Sequence, residues 1–290
     1  MSPHNNDQQF ISRVLVTGAL GQLGAALVAQ LSQSTHVVGI DMNNLDITRV
    51  AEVTAFARDM RPSHIINCAA FNHVDGAEGA PEQARLVNSE AVLTLARVAR
   101  EFSAMLVHYS TDFVFDGIKD EPYVEEDTPA PKSVYGTSKL LGEEAAASVD
   151  HHYVLRLSSL YGGHTRRTGV DWMLQQAKDG QPVRAFADRT VSPSYVPDVV
   201  RITLALLERS APYGLYHCGS SGSCTWAELA AHVLASVGRP DLLRAVPFVP
   251  SGFRAVRPRH CALANHKLEN LGLQPLHWKT ALDDYLGRLG

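Results

Sequence analysis

The segment Arg13-Val14-Leu15-Val16-Thr17-Gly18-Ala19-Leu20-Gly21-Gln22-Leu23-Gly24 decides the fold of this chain. Its first five residues form a β-rich apolar run, and the Ala- and Leu-rich pattern that follows to Leu31 is helical. In a turn between such elements, Gly18 allows the bend, Gly21 lets a pyrophosphate approach the backbone, and Gly24 lets the helix pack on the strand. We therefore predict a dinucleotide-binding turn. A glycine bend that serves packing alone is the alternative.

A second strand supports the dinucleotide hypothesis. The run His36 to Ile40 ends in Asp41, about twenty residues downstream of the glycines, where an acid can bind the adenosine ribose through its hydroxyls. The charge of a carboxylate at this position disfavours the extra phosphate of NADP. We therefore predict NAD(H) as the preferred cofactor and NADP(H) as the second choice. The alternative for Asp41 is a turn or cap residue.

Short apolar runs alternate with helical patterns through the first half of the chain. Further strands are predicted near 64–67, 105–110 and 153–156, and helices near 49–59, 81–100 and 134–148. This alternation predicts an α/β fold, a Rossmann-type doubly wound parallel sheet with helices on both faces. Ligands bind such sheets at the carboxyl ends of the strands. Ala69 and Ala70 follow the third strand and Thr111 follows the fourth, so we expect them beside the glycine turn.

The alternation loosens after Gly162, where Gly and Pro become frequent. Helical patterns remain near 169–179, 196–209, 225–237 and 279–288, which predicts a smaller lobe of mixed α/β structure. We therefore divide the chain into a disordered tail at 1–12, an NAD(P)-binding domain at 13–162 with later returning segments, and a mainly substrate-binding lobe at 163–290.

Composition narrows the class of protein. The 290 residues are 45% hydrophobic, enough for a large core, and a net charge of −4 offers no basic surface for nucleic acid or anionic membrane. No apolar run approaches ~18 residues and the polar start lacks a signal peptide, so we expect a cytoplasmic protein. The four cysteines and thirteen histidines show no ligand spacing, so no metal is expected and the thiols are predicted to be reduced.

Tyr135 and Lys139 lie four residues apart in a predicted helix and therefore share one face. A cation that close favours the phenolate, and a shift of roughly 1–3 units would lower the pKa of a phenol from ~10 toward working pH. Tyr135 is then predicted to act as a general acid. The pattern alone is also typical of a solvated helix pair, and the glycine turn is what favours catalysis here.

These segments together resemble the extended short-chain dehydrogenases/reductases, and within them the dTDP-4-dehydrorhamnose reductase family. The resemblance spans nearly the whole chain. It rests on Val16 to Gly24, Leu45 to Thr48, Asn67 to Ala70, Val74-Asp75, His108 to Gly117, Val134 to Lys139 and Arg257-Pro258. Several of these are signatures of the subgroup rather than of the fold.

The resemblance implies a catalytic triad. Thr111 would hydrogen-bond the substrate carbonyl, Tyr135 would donate a proton as hydride arrives at C4, and Lys139 would hold the nicotinamide ribose. It also implies a nucleotide-sugar substrate and a homodimer. The implied cofactor contacts are Gly18, Gly21, Gln22, Leu23, Gly24, Asp41, Asp46, Ile47, Ala69, Ala70, Asn72, Tyr135 and Lys139, and the implied substrate contacts are Val74, Thr111, Phe113, Ser159 and Arg257. Core packing for Val74 and a solvated surface role for Arg257 are equal alternatives.

Two positions depart from the family pattern. Phe113 and Ser159 stand where the family usually has a tyrosine and a tryptophan that face the sugar, which favours a different nucleotide-activated 4-keto-6-deoxy sugar as the substrate. Dehydration is disfavoured, because a phenyl ring at Phe113 cannot shuttle protons. Two alternatives stay open: a non-catalytic NAD(P)-binding regulatory subunit resembling the methionine adenosyltransferase β subunit, and another sugar-nucleotide epimerase or reductase.

Overall fold

Ten strands and eleven α-helices make up the regular structure of residues 11–165, 168–249 and 252–289, the part of the chain that this computed structural model describes. The strands are β1 (Arg13–Thr17), β2 (His36–Ile40), β3 (His64–Asn67), β4 (Met105–Thr111), β5 (His152–Leu157), β6 (Val183–Phe186), β7 (Thr190–Val191), β8 (Gly214–His217), β9 (Cys224–Thr225) and β10 (Leu243–Val246).

The helices lie between these strands in the order that the sequence predicts. They are α1 (Gln22–Leu31), α2 (Val50–Met60), α3 (Val74–Ala77), α4 (Pro81–Arg85), α5 (Ala91–Phe102), α6 (Val134–Ala147), α7 (Gly169–Lys178), α8 (Val196–Glu208), α9 (Trp226–Ser236), α10 (His266–Asn270) and α11 (Trp278–Gly287). A π-helical turn at Leu86–Glu90 separates α4 from α5.

The main sheet has six parallel strands in the order β2-β1-β3-β4-β5-β8. Every residue of β3 and β4 is buried, because helices cover both faces of the sheet. The apolar sides of α1 and α8 pack on one face, and those of α2, α5 and α6 pack on the other. The predicted doubly wound α/β fold is therefore confirmed.

The predicted helix at 81–100 is interrupted in the structure. The wide turn of Leu86–Glu90 turns the Asn88 side chain inward, where it accepts from Phe71 N at 2.8 Å and donates to Phe71 O at 3.0 Å and Ser138 Oγ at 2.9 Å. A π-helical turn inside a helix commonly marks such a functional constraint. Here it fixes the segment after β3 against α6.

The second half of the chain contributes to two cores. β8 completes the main sheet beside β5, while α7, α9 and α11 enclose a separate apolar cluster. This cluster carries a parallel pair, β6 with β10, and an antiparallel pair, β7 with β9.

Residues 1–10 of the predicted tail lie outside the described residues. Ile11 packs against the core beside β1, and Ser12 N donates to Ser63 Oγ at 3.3 Å. Among the described helices, none combines the length and apolar character that a membrane span requires.

Candidate active site

The glycine turn between β1 and α1 leaves no room for side chains. Gly18 has a φ of +63°, and a Cβ added there would lie 2.7 Å from Ala69 N. A Cβ at Gly24 would lie 2.2 Å from Gly18 O. α1 begins after Gly21 without a side-chain cap, so the N–H groups of its first turn remain available to an anion. This backbone cradle fits a pyrophosphate group.

Two adjoining cavities open at the carboxyl ends of the central strands. They share Gly21, Cys68, Ala70 and Asn72. One, of about 450 Å³, is also lined by Gly18, Asp41, Asp46, Ile47 and Ala69. The other, of about 400 Å³, is also lined by Gln22, Leu23, Gly24, Val74, Thr111, Phe113, Tyr135, Lys139 and Ser159. The structure thus brings together every predicted site residue except Arg257.

Asp41 is held at the far end of the first cavity by backbone donors. Its Oδ2 accepts from Leu20 N at 3.1 Å and its Oδ1 from Met42 N at 2.8 Å. Asp46, in the same cavity, accepts from the backbone N and the hydroxyl of Thr48. Asp41 therefore presents a fixed carboxylate where the sequence predicts a ribose.

Helix α6 carries the predicted proton donor. Ser133 caps its N-terminus by accepting from Gly136 N at 3.1 Å, and a Cβ at Gly136 would lie only 2.3 Å from Phe113 O. This close approach places Tyr135 and Lys139 over the end of β4. Lys139 Nζ donates to Tyr109 O at 2.6 Å.

The predicted lowering of the Tyr135 pKa is wrong for this structure. Burial raises the pKa of Tyr135 to about 12, a hydrogen bond with Thr111 lowers it, and the charge of Asp112 raises it again. The ammonium of Lys139 is bonded to the Tyr109 carbonyl, and no Lys139 contribution is among the causes of the shift in the phenol. Burial also lowers the pKa of Lys139 to about 8, against the opposing charges of Glu143 and Cys68.

Thr111 ends β4 beside Tyr135, but its hydroxyl is already engaged. Thr111 Oγ1 donates to Asp112 Oδ1 at 3.0 Å and accepts from Phe113 N at 3.2 Å. Ser158 Oγ donates to the other carboxylate oxygen of Asp112 at 2.8 Å, and burial raises the pKa of this acid. The hydroxyl of Thr111 must rotate away from Asp112 before it can donate to a substrate carbonyl.

The two positions that depart from the family pattern both line the cavity of Tyr135. The Phe113 ring meets the Tyr135 ring edge to face, with centroids 5.6 Å apart. Ser159 adopts a left-handed conformation with a φ of 43°, which a small polar residue tolerates better than a bulky one. The wall opposite the proton donor is therefore apolar at Phe113 and open at Ser159.

Arg257 lies in a different cavity, of about 210 Å³, with Trp172, Arg189 and Trp226 in its lining. Its guanidinium forms two hydrogen bonds to Asp75, at 2.8 and 2.9 Å, and stacks on Phe253. These bonds are the main reason that the pKa of Asp75 is lowered. The structure therefore shows Arg257 as one half of an ion pair rather than in the cavity of Thr111.

Several residues of the site escaped prediction as site residues. Cys68 is half-buried and lines both cavities, whereas the other three cysteines are buried, and none of the four thiols is paired. Asn67 and His108 lie below Lys139. A polar side chain inside the apolar run of β4 was the available signal for His108. Within the described ranges, no group of three or more His, Cys, Asp or Glu residues could hold a metal.

The parallel sheet, the glycine turn and the Tyr135–Lys139 pair define a dinucleotide-binding protein of the short-chain dehydrogenase/reductase class. The family model "RmlD substrate binding domain" matches residues 12–290. The chain belongs to the dTDP-4-dehydrorhamnose reductase family.

Individual relatives cover nearly all of the chain. The dTDP-4-dehydrorhamnose reductase of Streptomyces griseus is 35% identical over 281 residues, which cover 94% of this chain and 92% of that protein. The dTDP-4-keto-6-deoxy-D-glucose reductase of Streptomyces niveus is 36% identical over 275 residues, which cover 93% and 95%. The crystal structure of the Bacillus anthracis dTDP-4-dehydrorhamnose reductase in complex with NADP has a TM-score of 0.91 and 32% identity, with 95% and 99% of the two chains covered.

Proposed function

We propose that this protein is an NAD(P)H-dependent reductase of a nucleotide-activated 4-keto-6-deoxy sugar. The observation that carries the proposal is one cavity that joins the first turn of α1 to Thr111, Tyr135 and Lys139. The two Streptomyces relatives carry names of reductases of dTDP-linked deoxysugars. All three residues of the expected triad are present, which favours turnover over a purely regulatory role.

The residues at the end of β4 suit proton donation to a carbonyl. A bound nicotinamide cofactor would supply the hydride, and the glycine turn with the N-terminus of α1 would hold its pyrophosphate. With its pKa raised to about 12, Tyr135 is protonated at neutral pH and can deliver its proton to the substrate oxygen. Thr111, once rotated from Asp112, would add a second donor to the oxygen on which negative charge develops.

The cavity around Arg257 suits the nucleotide of the substrate. Trp172 and Trp226 offer aromatic surfaces there, and Arg184 and Arg189 offer guanidinium groups that can bind a diphosphate. Trp226 Nε1 is buried without a hydrogen-bond partner among the described residues. We propose that the base and diphosphate bind in this cavity and that the sugar reaches toward Phe113.

The direct test measures oxidation of the reduced cofactor after addition of a keto sugar. A dTDP-4-keto-6-deoxyhexose should cause loss of reduced-nicotinamide absorbance, and the same sugar without its nucleotide should not. Repeating the assay with the UDP-linked sugar tests the role of the base. Binding of the cofactor without oxidation by any keto sugar of the panel would instead support the regulatory-subunit alternative.

Cofactor preference is expected to depend on Asp41. The fixed carboxylate repels a 2′-phosphate, because two like charges about 4 Å apart cost on the order of 4 kcal/mol near a protein surface. We therefore expect NADH to be preferred, and Asp41→Asn to shift the ratio of kcat/KM values toward NADPH by roughly tenfold or more. Asp46→Asn, in the same cavity, is the control and should shift this ratio less. A wild-type preference for NADPH would contradict the prediction.

A cytoplasmic location is part of this proposal, because nucleotide sugars and reduced dinucleotides are substrates made inside the cell. The homodimer that the resemblance implies stays a prediction, which the mass of the protein in solution can check.

A further inference from the structure

A line of buried polar side chains runs beneath Lys139 across three neighbouring strands. Thr17, Asn67 and His108 occupy directly paired positions of β1, β3 and β4. Thr17 Oγ1 donates to Asn67 Oδ1 at 2.6 Å, and Asn67 Nδ2 lies 3.0 Å from His108 Nδ1. His108 Nε2 lies 3.5 Å from Lys139 Nζ. All four side chains are buried, so strand register rather than solvent fixes these contacts.

The direction of the hydrogen bonds follows from the donors at each end. Thr17 Oγ1 accepts from Ala69 N at 3.3 Å, so its own proton goes to the Asn67 carbonyl oxygen. The amide group of Asn67 then donates to Nδ1 of His108. An imidazole whose Nδ1 accepts a hydrogen bond carries its single proton on Nε2. That N–H points toward Lys139, whose nitrogen can accept it only as a neutral amine.

Packing prevents the imidazole from avoiding this contact. A Cβ at Gly142 would lie 3.1 Å from His108 Nε2 and 2.2 Å from Asn88 O. Only glycine lets α6 approach β4 this closely, and Lys139 lies on the same helix less than one turn earlier. The ring is therefore held between Asn67 on one side and α6 on the other.

We propose that His108 is a positioning residue that Asn67 holds in one tautomer, and that this tautomer favours the neutral amine of Lys139 over the ammonium. Burial keeps His108 itself uncharged, since it lowers the pKa of the imidazole well below its usual value. The consequence for turnover rests on the proposed function of Lys139. The tautomer does not.

Other groups that face Lys139 act against the imidazole. The Tyr109 carbonyl accepts from Nζ, and the charges of Glu143 on α6 and of Cys68 after β3 favour the ammonium. Glu143 is in turn paired with Arg156 on β5. Burial outweighs these groups and lowers the pKa of Lys139 to about 8. The amine therefore loses its proton as the pH rises through a range in which the enzyme can work.

The test is a titration of Lys139 in the full chain without cofactor, followed by the ¹³C NMR signal of the lysine ε carbon. The chain has six lysines, and the signal of Lys139 is the one that Lys139→Met removes. Asn67→Asp replaces the amide donor by a carboxylate, which accepts from His108 Nδ1 and leaves Nε2 free to accept from the ammonium. The midpoint of the titration should rise by about 1 unit or more. The alkaline limb of kcat/KM should move with it.

A second variant separates the imidazole from the added charge. His108→Gln can turn its carbonyl oxygen toward Lys139, so this variant alone should also raise the midpoint, and Asn67→Asp should add little to it in the double variant. Asn265→Asp alters a buried asparagine that accepts from Gly219 N and should leave the midpoint unchanged. An unchanged midpoint in His108→Gln, or a full further shift in the double variant, overturns the proposal. Because the titration needs no turnover, it decides the proposal even if no keto sugar is reduced.

Discussion

Tyr135→Phe is expected to lower kcat for keto-sugar reduction by roughly 10²–10⁴-fold, the usual contribution of a positioned general acid. The variant loses only the phenolic hydroxyl, and the Phe113 ring can still pack edge to face against the new ring. The glycine turn and Lys139 are untouched, so the dissociation constant of the reduced cofactor should stay within a few-fold of the wild-type value. Single-turnover rates and cofactor fluorescence measure the two quantities.

Tyr161→Phe provides a matched control. Tyr161 is also a buried tyrosine close to the sheet edge, but its hydroxyl has no hydrogen-bond partner among the described residues and its ring stacks on Tyr195. Removing this hydroxyl should leave kcat unchanged. A Tyr135→Phe enzyme that keeps wild-type kcat would show that another group, with Thr111 the nearest hydroxyl, supplies the proton.

The order of elements could be predicted because each depends on local sequence. The apolar runs of β1 and β2 are bounded by Gly18 and Asp41, and their predicted limits match the structure. The π-helical turn at Leu86–Glu90 was missed, because its apolar spacing continues that of the flanking helices. The place of β8 in the main sheet could not be assigned either, since four residues carry little periodicity and their partner β5 is distant in sequence.

The position of the candidate site was predictable, but its electrostatics were not. Parallel strands bring the residues that follow them to one edge, so Gly18, Asp41 and Thr111 were expected together. The four-residue spacing of Tyr135 and Lys139 indicates a shared face but not the Tyr109 carbonyl that competes for the ammonium. The ion pair of Asp75 and Arg257 joins residues 182 positions apart, and no local pattern indicates it.

Arg156→Met is expected to lower the free energy of unfolding by about 3–5 kcal/mol, the usual cost of leaving one partner of a buried ion pair alone. Arg156 on β5 forms two hydrogen bonds to Glu143 on α6, at 2.9 and 2.7 Å, and the two side chains are 3% and 8% exposed. Ser110 Oγ also donates to Glu143, but a hydroxyl cannot neutralise the carboxylate that the variant strands. Denaturant unfolding at neutral pH measures the loss.

An exposed pair gives the control for this loss. Arg49 and Glu52 form a similar contact at 3.0 Å with side chains 64% and 53% exposed, so Arg49→Met should change the free energy of unfolding by less than about 1 kcal/mol. The double variant Glu143→Met with Arg156→Met should recover part of the loss, because it removes the stranded charge. Equal effects of Arg156→Met and Arg49→Met would contradict the prediction. Since Glu143 lies one turn after Lys139 on α6, the buried pair also holds the catalytic helix against the sheet, and its loss should reduce kcat as well as stability.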